Sequence, residues 1–355
     1  MAGLMIMSER KVAVYAPHAP HASQAEPGDG PGEAPQVVRP DAKTDAVRRV
    51  SLRAWVALLI VWVVWGSTYL AIRVGDETIP PLVLAAARYM IAAVIMFPLA
   101  LRNAAAAARA AGQVGPSGHY WPRRSEWLGC AVVGILLLGA NAAVCVGETT
   151  VPSGLTALLI ATVPLWLLGI DAVLNHARLG LAPAAGLAIG LAGVALLSGL
   201  GGGHGGVSAS GVVIILGASV AWATGTIMVR RVSTPASPAL ASAMQLLIGG
   251  VFLVALAAAS GEFGSVRLAA VSDRSWLALG YLTVVGSIVA FSAYVIANRL
   301  LPTATVATYA YVNPVIAVLL GTLILNEHVS WGMLAGGALI VGAVVLVVRR
   351  RPPAH

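Results

Sequence analysis

Apolar runs recur along the chain from Arg53 to Val348, separated by short segments that hold most of the charge. Each run is about 20 residues long, enough for an α-helix to cross a hydrocarbon core about 30 Å thick. The pattern predicts ten spans, at 54–72, 82–101, 127–146, 153–174, 183–199, 211–230, 238–259, 276–297, 303–325 and 331–348. The fifth is short and glycine-rich, and the sixth has the least distinct start; hydropathy alone leaves nine or eleven open. The expected fold class is an all-α polytopic membrane protein.

Residues 1–50 break the pattern. They are rich in Ala, Pro and Gly, poor in large apolar side chains, and lack the apolar stretch of a signal peptide. This segment is expected to be a disordered cytoplasmic tail, and 349–355 a short basic one.

Composition agrees with the pattern: 58% of the 355 residues are hydrophobic and 10% charged, where a soluble protein carries roughly a quarter charged. The net charge of +8 resembles a nucleic-acid signature until the charges are placed. Alternating spans put Lys43, Arg48, Arg49, Arg53, Arg102, Arg109, Arg123, Arg124, Arg178, Arg230, Arg231, Arg299, Arg349, Arg350 and Arg351 on one side of the bilayer. Only Arg73, Arg267 and Arg274 fall on the other. The positive-inside rule then places both termini in the cytoplasm, and the basicity reports topology rather than a nucleic-acid partner. Cys130 and Cys145 share the third span, about 22 Å apart along a helix axis. They cannot pair with each other.

The second half of the chain repeats the first. Pro152 to Pro164 is a twelve-residue step, and so is Pro302 to Pro314. Trp65 and Arg73 are spaced like Trp222 and Arg230, and the same offset carries Arg88 onto Gln245. The fifth and tenth spans each carry a GxxxG step, Gly186/Gly190 and Gly332/Gly336. Five spans per copy is an odd number, so the second copy inserts upside down. The expectation is an inverted repeat of two five-helix halves (5+5), with repeats at 51–202 and 203–348. This is an architecture of secondary transporters, in which broken helices meet near the bilayer midplane. Pro164 and Pro314 lie mid-span, where each removes a helical hydrogen bond, and are expected to act as hinges.

Three stretches, "VWVVWGSTYLAIRVG" (61–75), "VPSGLTALLIATVPLW" (151–166) and "YAYVNPVIAVLLGTLILNEHVSWG" (309–332), resemble EamA-type members of the drug/metabolite transporter superfamily. The resemblance runs from about Arg53 to Val348. It implies a ten-helix inverted-repeat fold, a central cavity lined by spans one, three, four, six, eight and nine, and export of amino acids or other small metabolites. The family commonly carries a Gly-Glu pair after the fourth and ninth helices. Here those positions read Asn175-His176 and Asn326-Glu327, which puts in doubt any role for symmetric glutamates.

Trp55, Trp127, Trp276 and Trp331 stand at span ends, where the interfacial aromatic belt accounts for them. Trp62, Trp65, Trp166 and Trp222 are near span centres. Trp62, Trp65 and Tyr69 share one helix face, and Trp65 and Trp222 are repeat-equivalent. With Tyr294 and Tyr309 they form an aromatic set suited to a small organic ligand; interhelical packing is the competing reading. The polar residues inside spans are Thr68, Asn141, Thr162, Thr226, Ser287 and Asn313. Hydroxyls often bond back to their own helix, so Asn141 and Asn313 are the better candidates to hold polar groups of a substrate. Arg88 is the basic residue well inside a span. Backbone carbonyls or an acid such as Glu148 are its expected partners, with a substrate carboxylate as the alternative.

Other classes fit poorly. All seven histidines lie in tails or loops, HExxH and GxSxG are absent, and the only lysines are Lys11 and Lys43. No catalytic residue, metal or cofactor is expected. The expected partners are the lipid bilayer and a small-molecule substrate; a homodimer through the GxxxG faces competes with packing inside one bundle. Glu148, Asp171 and Glu327 sit near span ends and no carboxylate lies at a span centre. Uniport, exchange and proton antiport therefore all stay open. The expectation is a carrier in the cytoplasmic membrane that exports metabolites by alternating access. A drug-efflux carrier and a non-transporting scaffold are its rivals.

Overall fold

The computed structural model describes residues 42–113, 120–175, 181–197, 208–301, 303–306 and 308–349. Residues 1–41, His176, Arg178, Pro302 and residues 350–355 lie outside them. The chain divides into two units, Met1–Asp45 and Ala46–His355; of the first, only the opening turn of α1 is described.

All regular structure among the described residues is helical. The order is α1 (Ala42–Gly75), α2 (Pro81–Ala110), α3 (Arg124–Glu148), α4 (Ser153–Ile160), α5 (Val163–Leu174), α6 (Leu181–Leu197), α7 (Ala209–Met228) and α8 (Pro238–Ala259). There follow α9 (Glu262–Ser265), a 3-10 turn (Leu268–Ala270), α10 (Asp273–Tyr281), a π-helical segment (Leu282–Val289), α11 (Ala290–Leu300), α12 (Thr303–Val306), α13 (Tyr309–Leu325) and α14 (Trp331–Arg349). Starts follow local chemistry. Ser208, Ser237 and Ser272 cap α7, α8 and α10 by accepting from backbone N–H groups inside each helix, and Pro81 occupies the first turn of α2.

Among the described residues, seven stretches are long and apolar enough to cross a membrane: Leu52–Gly75, Pro81–Ala110, Arg124–Glu148, Ser153–Leu174, Ala209–Met228, Pro238–Ala259 and Asp273–Tyr294. Three shorter apolar helices, Ala184–Leu196, Val312–Leu325 and Trp331–Leu346, fall at the expected fifth, ninth and tenth spans. Large apolar side chains such as Val173, Val213, Leu277 and Leu323 are exposed on the outer faces. In water that surface would promote aggregation; toward lipid it is ordinary. This is a multi-pass membrane protein.

The main helix pairs are α2–α8, α3–α7, α3–α8, α4–α13, α5–α7 and α6–α14. Glycine permits the closest approaches. A Cβ on Gly193 of α6 would lie 2.8 Å from the Gly336 carbonyl of α14, and one on Gly134 of α3 would lie 2.6 Å from the Gln245 carbonyl of α8. Gly190 faces Leu165 and Ala343 of the same chain. Gly190 and Gly336 of the GxxxG steps thus both meet residues of the same chain.

The two proline sites differ. Before Pro164 the helix is interrupted: α4 ends at Ile160 and α5 begins at Val163. Thr162 closes the gap, its N–H (3.1 Å) and its Oγ1 (2.6 Å) both donating to the Leu159 carbonyl. At Pro314 the expected break does not occur, because α13 runs on from Tyr309 to Leu325. In this half the turn lies earlier, at Thr308, whose N–H donates to the Thr305 carbonyl three residues back (3.2 Å) just before α13 begins. The eighth span is also not a plain helix. Its centre winds into the π form, where the Ser287 Oγ donates to the carbonyl of Leu282, five residues back (3.0 Å).

Candidate substrate site

The mid-span aromatic residues converge. Gly66 lets α1 meet α13: a Cβ there would lie 2.8 Å from that of Ile316. One residue earlier, the Trp65 ring lies 5.0 Å from Tyr294, 5.2 Å from Tyr309 and 6.1 Å from Phe291, centroid to centroid. Tyr294 and Tyr309 are 6.2 Å apart, edge to face. The Trp222 side chain of α7 lies near the Tyr309 hydroxyl, and so does Tyr69. Trp62 Nε1 donates to Thr308 Oγ1 at 3.2 Å. Four of the predicted residues, Trp65, Trp222, Tyr294 and Tyr309, therefore form one cluster with Tyr69 beside it. Phe291 was missed, although its i, i+3 spacing from Tyr294 puts both on one face.

The predicted polar residues are largely engaged by the protein itself. With its amide nitrogen turned toward them, Asn313 donates to the carbonyls of Tyr309 and Trp62, each at 3.1 Å, and so ties α13 to α1. Thr68 Oγ1 donates to the Trp65 carbonyl at 2.7 Å, and Thr226 Oγ1 to the Trp222 carbonyl at 2.8 Å. Thr162 stays at the α4–α5 break, where its Oγ1 also accepts from Trp166 Nε1 at 3.1 Å. Asn141 is half-buried on α3.

Arg88 has partners other than those expected. Among the described residues its partners are neither an acid nor a backbone carbonyl: Nε donates to Ser287 Oγ at 2.8 Å, and the guanidinium carbon sits 4.7 Å from the centroid of the Tyr89 ring. The π turn presents Ser287 to α2.

A second cluster lies where α1 and α3 end. The Arg73 Nη1 donates to the Glu148 backbone carbonyl. Glu262 accepts from the N–H groups of Leu82 (2.9 Å) and Val83 (3.3 Å) at the start of α2. Glu327 accepts from the Ser153 N–H (2.8 Å), the Ser153 hydroxyl (2.9 Å) and the Gly154 N–H (3.2 Å) at the start of α4. Both oxygens of Asp76 and both of Glu148 are buried without a hydrogen-bond partner. Burial pushes the Asp76 carboxyl from the usual 3.8 up to about 8, with Arg73 opposing the rise and Glu262 adding to it. Among the described residues no group of three or more His, Cys, Asp or Glu is placed to hold a metal ion.

A helical bundle with apolar outer faces, broken helices and an aromatic cluster where α1, α7, α11 and α13 meet has the build of a membrane carrier. The EamA-like transporter family matches the chain twice, over residues 52–199 and 209–349, and the chain belongs to that family. It is 37% identical over 294 residues to the "Uncharacterized inner membrane transporter YedA" of Escherichia coli strain K12, covering 82% of this chain and 89% of the relative. It is 28% identical over 308 residues to the "Probable terminal-alkyne amino-acid exporter" of Streptantibioticus cattleyicolor, covering 85% of this chain and 95% of that one. A solved crystal structure, 22% identical, shares the fold at a TM-score of 0.53, over 85% of this chain and 99% of its own.

Proposed function

We propose that this protein is a secondary carrier of the cytoplasmic membrane that exports small metabolites, amino acids foremost, by alternating access. The observation that carries this reading is the aromatic cluster of Trp65, Trp222, Tyr294 and Tyr309, which draws on both halves of the chain. Two tandem family matches support a 5+5 inverted repeat. The helix pairs do too: α2–α8, α4–α13 and α6–α14 each join repeat-equivalent helices. The contact of α3 with α7 is answered by that of α1 with α11 through Trp65. The basic residues on alternate connections support cytoplasmic termini, and Arg73, Glu148, Glu262 and Glu327 then gather on the outer side.

Since the hydroxyls and Asn313 are engaged by the backbone, rings supply most of the recognition. An amino acid with an apolar side chain suits such a surface. An amphipathic drug is the second reading, favoured by the same engagement of polar groups.

Counterflow tests the proposal. Proteoliposomes preloaded with the twenty amino acids should accumulate at least one labelled amino acid, and Trp65→Ala should abolish that uptake while the protein remains folded by circular dichroism. Uptake of amphipathic drugs alone would select the second reading; no transport of either class would leave a scaffold.

A further inference from the structure

The aromatic cluster does not account for Asp76 and Glu148. Asp76 directly follows α1, and Glu148 closes α3 with no exposed surface. Asp76, Glu148, Glu262 and Glu327 gather at this end of the bundle, and two of them are compensated. Glu262 sits on the N–H groups that open α2, and Glu327 on those that open α4, where free donors and the helix dipole favour negative charge. The other two have no such support, since all four of their oxygens are buried and without a hydrogen-bond partner. An ionised carboxylate so placed has lost its hydration and gained no donor, so the neutral acid is the favoured form there.

The surroundings do not reverse this. The groups that face the pair are Tyr69 and Arg73 from α1, Cys145 from α3, Glu262 from α9 and Glu327 beyond α13. Arg73 gives a hydrogen bond to the backbone of Glu148 rather than to its carboxylate. Arg88 of α2 also acts on Cys145, but its Nε is committed to Ser287. The carboxylates of Asp76, Glu148, Glu262 and Glu327 thus outnumber the two guanidinium groups.

We propose that Asp76 and Glu148 are a proton-binding pair through which solute export is coupled to proton entry. This deepens the carrier reading and rests on it. Tyr69 lies between the pair and the substrate site: on α1 it is one turn from Trp65 and one turn from Arg73, which donates to the Glu148 backbone carbonyl. Closing the outer side around the pair adds a proton from the outer water to a carboxylate oxygen, converting carboxylate to carboxylic acid. Opening toward the cytoplasm returns that proton to water on the inner side. No other bond changes.

Two measurements on the reconstituted full-length protein test the pair. Infrared spectroscopy at neutral pH should show the carbonyl stretch of a protonated carboxylic acid. That band should titrate away with rising pH and diminish in Asp76→Asn and in Glu148→Gln. An unchanged band in both variants, or no band in the wild type, overturns the proposal. The second measurement compares drive with exchange. Acid-loaded vesicles should accumulate labelled amino acids beyond the counterflow level, and Glu148→Gln should lose that excess while Glu148→Asp restores it in part. Accumulation that follows a sodium gradient and ignores pH overturns the proposal but leaves the carrier reading standing. Silence across the amino-acid panel counts against the amino-acid reading alone, and the infrared band then upholds or overturns the pair by itself.

Discussion

Asp76 lies in the turn between α1 and α2 with both oxygens buried, so its ionisation works against the folded state. Its folded value of about 8 lies above the unfolded 3.8. The folded protein therefore binds more protons across that window. The stabilising contribution is complete below about 4 and is lost as pH rises through about 8. The thermal midpoint in detergent should fall as pH is raised from 5 to 9 (roughly the span of that window), and Asp76→Asn should flatten the dependence. An equal slope in wild type and variant would mean that another group carries it. At this scale the sequence was legible where identity and depth suffice. Trp65 and Trp222 stand out because an aromatic residue near a span centre cannot belong to the interfacial belt. The partners of Asn313, Thr68 and Arg88 were not legible, because each depends on which neighbouring helix supplies the opposite group. The sequence places Glu148 only near a span end, and it is the folded chain that shows Asp76 and Glu148 closed off from water.

The helices carry two lessons about proline and one about asparagine. Pro164 stands where the fourth span is interrupted, with Thr162 satisfying the Leu159 carbonyl across the gap, whereas Pro314 rides inside a continuous α13. Sequence spacing makes the two prolines equivalent; the helix on each side of them does not. If the break serves as a hinge, Pro164→Ala should slow counterflow several-fold (about 1 kcal/mol on a barrier is a factor of five), and Pro314→Ala should change it less. Equal effects, or none in either, would remove the hinge. Asn326 ends α13 with φ 53°, in the left-handed region that asparagine tolerates better than most residues. It can thus replace the family's glycine, keeping Glu327 in place over the start of α4. In the first half Asn175 has φ −100° and is bonded to Asp171 (3.0 Å) and Arg231 (2.8 Å) instead. The symmetric pair is thus broken in conformation as well as in composition. The π turn at Leu282–Val289 had no sequence signal, since it contains neither proline nor a charged residue.

For the whole molecule, hydropathy read an all-helical, multi-pass protein, and the described residues hold seven helices of spanning length with three shorter apolar ones. It did not foresee that the eighth span changes helix type midway or that the ninth has a turn at Thr308 near its start. Duplication was readable because chemically costly residues, prolines and mid-span tryptophans, recur in one order. The GxxxG steps showed only that some close contact was required, and the fold places Gly190 and Gly336 in contacts within the chain. The central claim is that the aromatic cluster forms a site that faces each side of the membrane in turn. Two-sided labelling tests it without knowing the substrate. Cys130 and Cys145 are buried and free, so a Cys130→Ser/Cys145→Ser background can carry a single cysteine beside the cluster at Tyr69→Cys. Sealed vesicles of each orientation are then exposed to a membrane-impermeant thiol reagent. Alternating access predicts labelling at that position from both sides, slowed by any solute that shows counterflow. Labelling from one side only, or from neither, would contradict a carrier and point to a static bundle.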